Sequence, residues 1–170
     1  MIRSVIAAAA LLAFAVPLAA QDSDAAEPSY GEIGAATAPV ADAYFAAYTS
    51  RDWDTLEPLL AENSSFHDPT ATHVFGPVRS DGRAAMMERF RVGYAGISHM
   101  EFVTSRRMIS ADTAIYEGVL HWGLDIGGGT LVDTVTPMVI VLTIEDGKVV
   151  SHRDYVDYAP FIEAVRAAST

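Results

Sequence analysis

The chain has 170 residues, 22 acidic against 11 basic side chains for a formal charge of −11, and no cysteine. That length suits one compact domain, and the missing thiols exclude disulfides, thiolate metal sites and thiol catalysis. The acidity argues against nucleic acid or an anionic membrane surface as partner.

The first twenty residues read as a secretory signal peptide. Arg3 supplies a positive start, Ile6 to Val16 is an unbroken apolar run, and Leu18-Ala19-Ala20 offers small residues for cleavage before Gln21. The run is too short to span a bilayer, so a periplasmic or secreted product with no membrane anchor is expected. Residues 21–36 are polar, contain Gly and Pro and lack periodicity, as a flexible linker would. Val40, Tyr44, Ala47 and Tyr48 recur at helical spacing and predict a first helix from about Pro39, which suits a first-turn position. Asp52 caps a second, short helix with Trp53, Leu56, Leu59 and Leu60 as its apolar face. Ser64 to Asp68 is a strand closed by Pro69. Ser80 or Asp81 then caps a third helix carrying Ala85, Met86, Phe90 and Tyr94 inward. Four long strands follow, 99–109, 113–124, 130–144 and 148–158, broken by Gly127-Gly128-Gly129 and by the Glu145-Asp146-Gly147 turn. A short helix, 160–167, ends the chain. Helices first and an antiparallel meander second predict an α+β fold: a curved, cone-shaped sheet wrapped over three N-terminal helices, with a single pocket between them.

Period-two alternation divides the strand residues into faces without saying which face looks inward. On the second long strand Ile115, Glu117, Val119 and His121 form one set, and Tyr116, Gly118, Leu120 and Trp122 belong to the other. On the last strand Val150, His152, Asp154 and Val156 share a side.

Two stretches carry a family resemblance. Tyr44 to Pro69, with its helix tyrosine, A-x-x-D-x-D-like continuation and Asp-Pro strand end, resembles the front of the ketosteroid isomerases. The segment DGKVVSHRDYVDYAPFIEAV resembles the end of limonene epoxide hydrolase, with its W-R-D-Y-F-D strand. Both families belong to the nuclear transport factor 2-like superfamily, which also holds the SnoaL-type polyketide cyclases, and the resemblance covers about residues 37–167. It implies Asp68 as a general base, Tyr44 as an oxyanion donor and Asp154 as a catalytic aspartate. It also implies a pocket lined by Phe66, Glu117, Val119, Met138, Ile140 and His152. Neither parental set is complete. Ile140 and Met138 stand near the isomerases' second oxyanion donor, and Val119 and His121 stand where the hydrolases place an arginine and an aspartate.

A His121–Asp154 pair across neighbouring strands could substitute for the missing groups, the carboxylate orienting the imidazole. His121, His152 and Asp154, with Asp68 as a fourth, are also potential metal ligands, but no short ligand motif supports a metal. The expectation is an exported protein that binds a small apolar organic molecule. It would be either a cofactor-free acid–base enzyme (an isomerase, cyclase or hydrolase) or a non-catalytic ligand-binding or dimerisation module. By analogy it would be a homodimer.

Overall fold

The structure, a computed structural model, describes residues 27–169. The expected signal peptide and the first part of the expected linker lie outside the described residues. Helix α1 covers Tyr30–Ser50 and α2 covers Trp53–Leu56, followed by a 3-10 turn at Glu57–Leu59. Then come β1 (Leu60–Asp68), α3 (Thr72–Phe75), β2 (Val78–Asp81) and α4 (Arg83–Gly93). The long strands are β3 (Ile97–Ser110), β4 (Thr113–Asp125), β5 (Leu131–Glu145) and β6 (Lys148–Val156), and α5 spans Ala159–Ala168.

Helix α1 begins nine residues before Pro39, so residues 30–36 are helical and not a linker. A capping box explains the early start. The Glu32 amide donates to Ser29 Oγ, and the Ser29 amide donates back to the Glu32 carboxylate at 2.8 Å. The added turns are held against the sheet by a 2.6 Å bond between the hydroxyls of Tyr30 and Ser110. Ser80 and Asp81, expected as helix caps, lie in β2, and α4 starts after Gly82.

All six strands form one sheet in the order β2-β1-β6-β5-β4-β3. Neighbours are antiparallel except β1 and β6, which run parallel and place His67 beside Arg153. The sheet curves around α1 and α4 to give the expected α+β cone. Its inner face carries Ala114, Tyr116, Ile140, Leu142 and Val149, packed against Ala41, Tyr44, Ala47 and Tyr48 of α1 and Met86 and Phe90 of α4. At about 1.5–3 kcal/mol for each large apolar side chain taken from water, this layer dominates stability.

Candidate active site: a cavity with two buried carboxylates

Sheet and helices leave a cavity of about 270 Å³. Tyr48, Tyr94 and Arg89 reach it from the helices, Phe66, Leu120, Trp122 and Met138 from the sheet, and Tyr158 from the chain after β6. Two carboxylates, Asp68 and Asp154, open into it although each is almost wholly buried. They lie one step beyond the paired His67 and Arg153, so they hang from adjacent parallel strands on the same face.

Asp154 ends a buried chain of hydrogen bonds. His152, two residues earlier on the same face of β6, meets Asp154 Oδ1 through Nε2 at 2.7 Å. Its other ring nitrogen, Nδ1, is 3.0 Å from the Tyr44 hydroxyl. Burial, reinforced by the Asp154 charge, pushes the Tyr44 hydroxyl well above the ordinary tyrosine range, so it keeps its proton. Asp154 Oδ1 can only accept, so the imidazole presents Nε2–H to it, and in the neutral ring Nδ1 is left to accept from the Tyr44 hydroxyl. Tyr44, Tyr48, Phe66 and Phe90 surround the imidazole, the Tyr48 ring edge-on at a centroid distance of 4.5 Å. Tyr48 donates to Asp154 Oδ2 at 2.7 Å. With that proton committed, the close Tyr48–Tyr94 hydroxyl contact has Tyr94 as donor. Burial and the Asp154 charge raise the Tyr48 and Tyr94 hydroxyls as well.

Asp68 is held more fully. Its Oδ1 accepts from Thr70 Oγ1 at 2.6 Å and from the Ala71 amide at 2.8 Å, closing the turn after β1, and its Oδ2 accepts from Tyr158 at 2.7 Å. A carboxylate offers about four acceptor positions. Three are taken on Asp68 and two on Asp154, so Asp154 keeps more capacity for a ligand. Burial, with the Asp68 charge, pushes Tyr158 up too.

Of the residues expected to line the pocket, Asp68, Asp154, Phe66 and Met138 do so. Tyr44 is fully buried one helical turn from Tyr48, behind His152, and is not an oxyanion donor facing the cavity. His152 is likewise buried behind the wall, and Ile140 is core. Glu117, Val119 and His121 belong to the opposite face of β4, whose inward set is Ala114, Tyr116, Gly118, Leu120 and Trp122. Glu117 instead faces Arg106 at 3.5 Å on the outer face. The His121–Asp154 dyad is therefore not formed: a sheet lies between the two side chains, and His152 takes the place beside Asp154. The metal set that included His121 is not assembled either, and the described residues contain no cluster of three or more potential His, Asp or Glu ligands.

Tyr48, Tyr94, Tyr158 and Arg89 went unassigned from sequence. Tyr48 and Tyr94 had a signal, since both sit at inward helical positions with a hydroxyl that must find a partner when buried.

A family model, the SnoaL-like domain, matches residues 41–152, about two-thirds of the chain. No curated protein matches. Among solved structures, the fold is similar to that of a Shewanella denitrificans protein named after the SnoaL-like polyketide cyclases (TM-score 0.69, 18% identity, covering 77% of this chain and 97% of that one). It is similar to a limonene-epoxide-hydrolase-like epoxide hydrolase of M. tuberculosis (TM-score 0.59, 17% identity, 79% and 92%). A Kribbella flavida protein named after the ketosteroid isomerases also matches (TM-score 0.56, 22% identity, 74% and 80%). At these identities the likeness is one of fold.

Proposed function

The chain belongs to the SnoaL-like domain family, and from the geometry of its cavity we propose that it binds a small, largely apolar organic molecule and performs cofactor-free acid–base chemistry on it. The observation that carries this reading is the buried carboxylate of Asp154, which faces the cavity while His152 and Tyr48 hold its far lone pairs. A carboxylate oriented in this way can take a proton from a substrate carbon or from a water, as isomerisation, cyclisation or hydration requires. His152 is a positioning residue: its Nε2–H fixes the carboxylate plane, and Tyr44 satisfies the opposite ring nitrogen and holds the ring in place. Tyr94, which lines the cavity and whose hydroxyl meets that of Tyr48, is the donor that can turn from Tyr48 to a developing oxyanion. Asp68 shapes the wall beside Tyr158. Its three donors suit a supporting role better than that of the first base.

The protein is proposed to act after export, on the strength of the N-terminal signal pattern. It is also proposed to pair through the outer sheet face, where Val103, Val135 and Tyr155 are exposed. Sedimentation of wild type and Val135→Glu checks the pairing; a monomeric wild type refutes it.

Incubating the protein with small cyclic ketones in deuterated water, and following α-carbon exchange by NMR, tests the chemistry. Wild type should catalyse exchange, and Asp154→Asn should lower the rate by about 10²–10⁴-fold while ligand affinity stays within a few-fold. Binding without exchange across ketones, epoxides and enones would mark a non-catalytic binder. Failure of every compound to bind would refute the cavity as a ligand site.

A further inference from the structure

Among the described residues that line the cavity, Arg89 is the one cation. Five other arginines, Arg79, Arg83, Arg91, Arg106 and Arg107, meet a carboxylate. Arg89 does not, although the chain carries a charge of −11. Among the described residues Arg51, Arg153 and Arg166 also form no ion pair with a carboxylate, but none of them lines the cavity. Its Nε donates to Ser80 Oγ at 2.7 Å and its Nη2 to the Arg79 carbonyl at 3.1 Å, both neutral acceptors. A guanidinium has five N–H donors, so three remain, enough for a two-pronged contact. Two neutral bonds fix the side chain on a half-buried site without neutralising it, and a partly desolvated cation gains most from an anion.

The position is equally specific. Ser80, which anchors the guanidinium, pairs with Phe66, and Phe66 pairs with His152. Arg89 is thus tied to the β2 edge, two strands from the strand of Asp154. At the usual strand spacing that offset is about 9–10 Å. Arg89 nevertheless lines the same cavity as Tyr94, Asp68 and Asp154, so the cation and the two carboxylates share one space. The two aspartates already have five donors between them.

We propose that the molecule bound in this cavity carries a carboxylate and that Arg89 receives it, with the apolar body lying across Phe66 and Trp122 toward Asp154. This rests on the cavity being a ligand site, as argued above. Arg89 thereby selects small organic monoanions over neutral molecules of the same shape, and a planar guanidinium fork suits a carboxylate in particular.

Three ring-sized probes that differ in charge, benzoate, benzamide and benzylammonium, test this by calorimetry or ligand-observed NMR at neutral pH. Wild type should bind benzoate at least tenfold more tightly than benzamide. Arg89→Met should erase that preference while leaving benzamide within about threefold, and Arg89→Lys should keep part of it. The wild-type comparison needs no variant, so a misfolded Arg89→Met leaves the test intact. Equal affinity for all three probes would overturn the assignment and leave the cavity a ligand site. Preference for benzylammonium would overturn it in favour of the carboxylates and aromatic rings as a cation site. If none of the three binds, both the assignment and the ligand-site reading fail.

Discussion

Tyr44→Phe isolates the bond that satisfies Nδ1 of the buried His152. The substitution removes one hydroxyl and keeps the ring, including its stacking on Tyr48 (centroids 6.4 Å apart, planes 7° apart) and its edge contact with the imidazole. No cavity larger than an oxygen atom is created, so the cost is that of leaving the buried Nδ1 without its donor, about 1–3 kcal/mol. Tyr48→Phe makes the comparison. It deletes a bond to a charged carboxylate, worth about 1.5–3 kcal/mol, and strands the Tyr94 hydroxyl without its acceptor. Tyr48→Phe should therefore destabilise more, by about 1 kcal/mol or above on the same scale. Urea unfolding of wild type and both variants supplies the free energies, and nitrogen-15 spectra of the histidine rings report the tautomer. Wild-type His152 should show a protonated Nε2 and a bare Nδ1. Tyr44→Phe should keep that tautomer, because Asp154 still accepts from Nε2, while the Nδ1 resonance shifts with the loss of its donor. A wild-type proton on Nδ1, or a Tyr44→Phe loss within the ±0.5 kcal/mol typical of surface changes, would refute the reasoning.

The inward face of β4 gives a second test: Leu120→Ala should cost about 2–5 kcal/mol as a buried truncation, whereas His121→Ala, on the outer face, should stay within about 0.5 kcal/mol and leave ligand binding unchanged in the same titrations. Alkaline pH gives a third. Tyr44, Tyr48, Tyr94 and Tyr158 all have hydroxyl pKa values raised by burial, so the unfolded chain releases these protons first, near pH 10. Stability is then fully present below about pH 10 and falls as pH rises beyond it. Tyrosinate absorbance should lag behind that of free tyrosine and then appear together with unfolding followed by circular dichroism. Early titration in a still-folded protein would contradict it.

The long strands were legible because Gly127-Gly128-Gly129 and Glu145-Asp146-Gly147 punctuate them unmistakably, and β4, β5 and β6 lie within a residue or two of the expected bounds. The start of α1 was written in the sequence too, in the Ser29 and Glu32 pair, but Pro39 drew the boundary inward because proline favours first turns. Strand β2 is four residues long and gains its identity only from pairing with β1, which no local pattern announces. Facing was the main failure. Alternation on β4 is symmetric in period, and the resemblance to the epoxide hydrolases points to Val119 and His121. The bulk of Tyr116, Leu120 and Trp122 against the charge of Glu117 identifies the opposite set. The partner of Asp154 hides for a related reason: a resemblance built on cross-strand groups points to His121, while His152, two positions back on the same face, is the residue within reach.

The placement of β6 has a consequence for how the chain assembles. The last strand to be made occupies the third place in the sheet, between β1 and β5. The β1–β2 hairpin therefore has no strand neighbour on its inner side until the C-terminal segment arrives. The bonds that then close the cavity join residues 86 and 90 positions apart, from the Val156 amide to Thr70 and from Tyr158 to Asp68. Such distant contacts slow folding, because chain ends must meet before any of them repays the lost freedom. A chain released without β6 should be left as two unjoined sheet fragments with raw edges, the form most prone to aggregate. Completion of the pocket and completion of the fold are then one event, and an immature copy has no half-built site with which to capture ligand.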